Sequence, residues 1–267
     1  MGDLKKRIFS AVVGGPVVIL LFLFLPPKLF FLFIGLVLIM AVYEFSLMIC
    51  ANDRYTVMVL VVISFIPMYL GLGTAWTFWL LFSPALYLLL KLIMTGPGVV
   101  SLSINRDIGY SIAVILLAQV FLALPLFFLY RLKEVDSHLP LILLLTIWAS
   151  DTGAYALGKT MGRHKLAPLI SPKKTYEGLL GAMAGAVIVT LLFKNRMGMN
   201  IFTSIGIGIL IGVLGQLGDI LESVAKRVCD VKDSSSLIPG HGGILDRIDS
   251  FLFTAPFLYL YFSGIKI

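Results

Sequence analysis

The chain has 267 residues, 59% of them hydrophobic and 13% charged, about half the charged share of a soluble domain. Too little polar surface remains to coat a water-soluble globule of this size, so lipid takes the place of water around most side chains. The net charge of +7 does not by itself imply nucleic acid; in a membrane protein it reports cytoplasmic loops, anionic lipid or a polyanionic substrate.

Lys5, Lys6 and Arg7 precede an apolar run over residues 8–25 that ends at Pro26-Pro27, and no small-residue cleavage site follows. The run is long enough to span, so it reads as a retained first helix rather than a signal peptide. Further apolar stretches follow near 29–50, 55–72, 75–95, 107–130, 138–158, 176–193, 201–227 and 250–265, the eighth of the nine too long to lie wholly in lipid. Helices are expected, because each segment must satisfy its own backbone hydrogen bonds. The expected fold is an all-α polytopic bundle of about nine transmembrane helices. Residues 1–130 form its membrane anchor, and residues 131–267 form its catalytic region. A cytoplasmic N-terminus places fourteen basic residues inside and six outside, the six being Lys28, Arg131, Lys133, Lys194, Arg196 and Lys266, with Lys91 left within a helix. Small-residue and Met-containing faces of the anchor half are compatible with a homodimer. Cys50 and Cys229 stand alone, which indicates neither a thiolate metal site nor a disulfide framework.

The chemistry-bearing residues gather in 151–178 and 216–249, on one membrane face under this topology. In the eighth segment Gln216, Asp219, Ser223 and Lys226 recur at helical spacing, with Glu222 beside them and Arg227 next in sequence. An unpaired aspartate within an apolar helix costs about 2.5–3.5 kcal/mol on insertion scales. A run from Ile238 to Asp249 follows, in which Pro239-Gly240 and Gly242-Gly243 bracket His241 and form a tight loop that a ligand can approach closely. Asp246 and Asp249 are three apart at the start of the last helix. Helix-dipole capping accounts for one of them; it does not account for both, opposite a third acid. Three carboxylates without cysteine point to hard oxygen ligation and to Mg2+ rather than zinc. Asp219 and Asp246 are the first choices as ligands and Asp249 the third, with His241 a loop organiser or phosphate contact.

Upstream, Asp151 lies near the end of the sixth helix, where it needs a basic partner or a metal. Lys159, Arg163, Lys165, Lys173 and Lys174 then alternate with glycines and hydroxyls, and Ser171, Pro172 and Thr175 lead into the next helix. The pattern suits a phosphate cradle. It is not a Walker loop, and an ordinary positive-inside loop would account equally for any single lysine.

The run Ser223-x-x-Lys226-Arg227-x4-Lys232-Asp233, followed by Pro239-x-His241-Gly242-Gly243-x-x-Asp246-Arg247-x-Asp249, resembles the phosphatidate cytidylyltransferase (CDP-diacylglycerol synthase) family. The stretches Asp151-x-Gly153-Ala154-Tyr155 and Ser171-Pro172-Lys173-Lys174-Thr175 are also similar to it. Ala225 departs from a bulkier apolar residue usual in the family, which bears on packing. The resemblance covers the C-terminal 120 residues or so. It implies an Mg2+-dependent reaction of CTP with phosphatidate, giving CDP-diacylglycerol and pyrophosphate for phospholipid synthesis at the cytoplasmic face of the inner membrane. Asp219, Asp246, Lys226 and Arg247 would be catalytic. Ser171, Lys173, Lys174, Thr175, Ser223, His241, Gly242 and Gly243 would bind substrate, and a monovalent cation such as K+ could sit beside the magnesium at Asp249 or Asp151.

Two other classes compete. A membrane lipid kinase acting on a polyprenol or phytol could share the framework with a different acceptor and nucleoside. A secondary transporter would place acids near the bilayer midplane and break helices in both halves, whereas here the charges cluster at one face.

Overall fold

A computed structural model of the chain describes residues 3–49, 53–71, 73–95, 102–232, 234–235 and 242–264. In chain order the helices are α1 (Asp3–Phe24), α2 (Pro27–Ile49), α3 (Arg54–Ile63), α4 (Phe65–Tyr69), α5 (Gly73–Thr95), α6 (Leu102–Ala118), α7 (Leu124–Val135), α8 (Leu139–Met161), α9 (Tyr176–Leu192), α10 (Ile201–Val228), α11 (Leu245–Ile248) and α12 (Phe251–Phe262). Helix therefore occupies each apolar stretch read from the sequence, and the protein is an all-α polytopic membrane protein. Five helical stretches among the described residues are long and apolar enough to cross a bilayer: Pro27–Ile49, Trp76–Met94, Asp107–Val135, Leu139–Met161 and Ile201–Val228. Val12–Phe24, Arg54–Tyr69 and Tyr176–Leu192 are shorter apolar helices.

The breaks have local causes. The Gln119–Ala123 segment between α6 and α7 is a π-helical turn just before Pro125. Proline offers no N–H and crowds the preceding turn, and the wider π turn absorbs the misfit. Gln119 is buried there and donates to Ser83 Oγ of α5 at 2.8 Å. Between α3 and α4 the Ser64 hydroxyl donates to the carbonyl of Val61.

The N-terminal helices meet around an aromatic cluster. Phe31 of α2 packs on Phe65 and Tyr69 of α3–α4 and on Tyr130 of α7, with ring centroids 4.4 to 5.2 Å apart. Lys133, counted from sequence among the outward positive charges, is 2% exposed and not a solvated marker. Its ammonium donates to the carbonyls of Phe22, Leu23 and Ser137. It thereby ties down the carbonyls that the end of α1 leaves without intrahelical partners.

The C-terminal helices pack through small residues. A Cβ placed on Gly153 of α8 would run into the carbonyl of Gly181 in α9, and one on Gly185 into that of Ala149. The two backbones therefore touch, the close approach typical of small-residue faces in membranes. Gly208 and Gly212 bring α10 equally close to α9 at Val187 and Met183. Between α8 and α9 the chain makes a short antiparallel hairpin, β1 (Lys165–Ala167) with β2 (Ser171–Thr175), pairing Lys165 with Thr175 and Ala167 with Ser171. This two-stranded element was not anticipated.

Candidate functional site

The last three turns of α10 carry Asp219, Glu222, Ser223 and Lys226. Helical spacing puts them along one side, and that side faces the segment leading into α12. A Cβ on Gly218 would strike the carbonyl oxygen of Asp249, so the two elements are in backbone contact. One oxygen each from Asp219, Glu222 and Asp249 lies within 4.8 Å of the others.

Two lysines enter this acidic group from different elements. Lys174, on β2, reaches Asp219 Oδ2 at 2.8 Å, and Ser223 Oγ donates to Asp219 Oδ1 at 3.4 Å. Lys226 bridges Glu222 Oε2 at 2.9 Å and Asp246 Oδ1 at 2.6 Å. Asp151 on α8 stays exposed, within electrostatic reach of Asp219, Lys174 and Arg247. Ionised, the five carboxylates (Asp151, Asp219, Glu222, Asp246, Asp249) outweigh the three cations (Lys174, Lys226, Arg247) by two charges. The strain shows at two points. Burial, and next the Asp219 carboxylate, push the Asp249 carboxyl up to about 7. Glu222 Oε1 is buried with no hydrogen-bond donor among the described residues, an expensive omission for a carboxylate.

A divalent cation held here would answer both. Asp219, Glu222 and Asp249 could hold a hard ion by drawing their oxygens inward to metal–oxygen distances of about 2.1 Å, and Glu222 has an oxygen free of other donors among the described residues. The pair singled out first from sequence, Asp219 and Asp246, is distributed differently. Asp249 and Glu222 come together with Asp219, whereas Asp246 is engaged by Lys226, by the amide of Gly243 at 2.9 Å and by Ser234 Oγ at 3.0 Å.

The remaining sequence candidates are placed as follows. Lys173 is exposed on β2 and Ser171 is half-buried at its start. Thr175 is buried and caps α9, its hydroxyl oxygen accepting from the amide of Gly178 at 3.0 Å. Arg247 is exposed beside the acids. Gly242 adopts φ +80°, where a side chain would be strained, and its missing Cβ leaves room for Asp246 Oδ2. His241 lies outside the described residues.

One participant comes from the half expected to be anchor alone. Glu44 on α2 is fully buried and accepts from the hydroxyls of Ser234 and Ser235 and the amides of Ile244 and Leu245. An acid inside an apolar helix was itself a signal, and Glu44 is the only acid in Pro27–Ile49.

Comparison with known proteins adds a family. The model of the cytidylyltransferase family matches residues 5–264. The chain is similar to phosphatidate cytidylyltransferases of Staphylococcus aureus (strain COL), at 43% identity, and of Staphylococcus haemolyticus (strain JCSC1435), at 42%. That of Staphylococcus epidermidis (strain ATCC 35984) is 40% identical. Each alignment spans 159 residues, 59% of this chain and 61% of the relative. The match thus covers about three fifths of those relatives' length.

Proposed function

Because the chain belongs to the cytidylyltransferase family, we propose that it transfers a cytidylyl group from CTP to phosphatidate, yielding CDP-diacylglycerol and pyrophosphate. The observation that carries this reading is the convergence of Asp219, Glu222 and Asp249 beside Lys174 and Lys226. Both substrates are polyanions, and a site of opposed carboxylates and ammonium groups can gather a divalent cation and phosphates in one place.

In the reaction a phosphate oxygen of the lipid bonds to the α-phosphorus of the nucleotide, and the bridging bond to the β-phosphate breaks. Mg2+, held by Asp219, Glu222 and Asp249, would offset the charge of the α-phosphate and the departing pyrophosphate. Lys174 and Lys226 are already oriented by their acidic partners, so their charges stand ready at the site's edge without reorganisation. Lys173, Arg247, Ser171 and the Gly242 backbone add donors for phosphate oxygens, with His241 beside them in sequence, while the Gly243 amide is already taken by Asp246. Asp246 fixes Lys226. The lipid phosphate is ionised near neutral pH, so no general base is assigned. A monovalent cation such as K+ fits the remaining acid, Asp151. The site faces the cytoplasm in this reading, because that side holds the nucleotide and receives most of the basic residues.

The test is pyrophosphate release by purified protein given phosphatidate, Mg2+ and each nucleoside triphosphate in turn. Release with CTP alone is expected. A lipid kinase would instead yield a nucleoside diphosphate and no pyrophosphate, and that product would overturn the reading. Asp246→Asn should abolish turnover in protein that remains folded.

A further inference from the structure

Glu44 is an unusual group to find where it is. It sits on α2, fully buried, and each of its two oxygens takes one hydroxyl and one backbone amide. Oε1 accepts from Ser235 Oγ at 2.6 Å and from Ile244 N at 2.9 Å; Oε2 accepts from Ser234 Oγ at 3.0 Å and from Leu245 N at 2.9 Å. All four donors belong to the two flanks of one segment, 234–235 before it and 244–245 after it. Desolvating a carboxylate is costly, and for packing alone an apolar side chain of similar volume would serve as well or better. The donors show what the charge is for: it pins both flanks of that segment to one point on α2.

What those flanks carry is Asp246. Ser234 Oγ lies 3.0 Å from Asp246 Oδ2 and also 3.0 Å from Glu44 Oε2; its single proton serves one carboxylate at a time, and the backbone amide of Ser234 also faces Asp246 Oδ2 at 3.4 Å, so the residue stands between the two acids. Gly243 is buried between them. Its amide donates to Asp246, and a Cβ there would collide with both Ser234 Oγ and the Glu44 carboxylate. From Asp246 the chain of contacts continues through Lys226 to Glu222, one of the three converging acids.

We propose that Glu44 is a positioning residue for the transfer reaction, holding residues 234–235 and 244–245 so that Asp246 presents Lys226 to the phosphates. This rests on the cytidylyl-transfer reading above. Glu44 touches no reacting atom; it acts through Ser234, the 244–245 backbone and Asp246. The helix regarded as anchor is thereby part of the active site's support.

The experiment uses the full chain in lipid–detergent micelles and compares wild type with Glu44→Gln, Ser234→Ala and the double variant. Glutamine keeps the volume but replaces one acceptor oxygen with an NH2 that faces two donors. Glu44→Gln should lower kcat about 10- to 100-fold, the scale of a misplacement of about 1 Å, while the KM for CTP stays within about threefold. The double variant should be no slower than Glu44→Gln, because the two changes break one connection. Hydrogen exchange at the amides of Ile244 and Leu245 should accelerate at least tenfold, with α8 to α10 unchanged. Wild-type kcat in Glu44→Gln, a loss wholly explained by a smaller folded fraction, unaltered exchange at those amides, or losses that multiply in the double variant would each overturn the proposal. Wild-type protein that releases no pyrophosphate from CTP would instead overturn the activity reading and the catalytic half of this one. The exchange measurement would still decide whether Glu44 holds those flanks.

Discussion

Glu222→Gln isolates the cation site from the rest of the chemistry. With ligand oxygens of Asp219, Glu222 and Asp249 within 4.8 Å of one another, each pair, when both members are ionised, repels by roughly 3–4 kcal/mol at an effective dielectric of about 20. Lys174 and Lys226 relieve part of that, and a divalent ion relieves the remainder. Mg2+ should therefore stabilise the folded protein even without substrate. At about 100 times its dissociation constant the ion contributes about 2.7 kcal/mol, roughly 5–10 °C in Tm for a chain of this size. Glutamine removes one charged ligand and nearly preserves shape. Losing only an outer partner weakens metal sites about 10–100-fold; at the upper end the same Mg2+ concentration would contribute about 0.4 kcal/mol, or roughly 1–2 °C. The assay is thermal unfolding of purified protein in detergent, with and without Mg2+, in the absence of nucleotide. A Glu222→Gln protein that keeps the full magnesium shift would refute the three-carboxylate assignment, whatever its turnover.

Three further outcomes follow from individual contacts. Gly243→Ala places a methyl against Ser234 and Glu44; it should cost about 1–3 kcal/mol and most of the activity, read by Tm and pyrophosphate release. Lys133→Met leaves three carbonyls without their buried donor; unfolding should occur at least about 2 kcal/mol more easily, while the magnesium-induced shift persists. Lys28→Ala alters an exposed side chain in the first turn of α2; stability should change by less than about 0.5 kcal/mol with turnover unchanged, and a large loss would place Lys28 in a contact not seen here.

Helix positions were legible because each apolar run is long and bounded by proline, glycine or charge. Lipid leaves the backbone few alternatives to helix. The acids on α10 and around Asp249 were legible from three- and four-residue spacing, a local property. What the sequence concealed was pairing across distance. Nothing near Glu44 indicates that its donors lie 190 to 201 positions downstream. Nothing near Lys133 tells that its ammonium turns inward to carbonyls 110 and 111 positions upstream rather than outward to water. Thr175 reads equally well as a phosphate donor or a helix cap until the amide of Gly178 is seen beside it. Among the acids, spacing could nominate Asp219, Asp246 and Asp249 but could not say which oxygens meet. That was set by the backbone contact of Gly218 with Asp249 and by the direction Lys226 takes.

The length of α10 has a kinetic corollary. At about 1.5 Å per residue its 28 residues reach roughly 42 Å, beyond a hydrocarbon slab of about 30 Å. With Ile201 at one edge of that slab, Asp219 would lie roughly 27 Å along the helix, just short of the opposite edge, and Glu222 and Lys226 would pass beyond it into the headgroup zone. An amphiphile drifting sideways in the leaflet would deliver its headgroup at that height with its tails still immersed. Velocity should then track the mole fraction of acceptor within the bilayer or micelle, not its bulk molarity. Diluting the surface with inert detergent would slow the proposed transfer at constant total lipid.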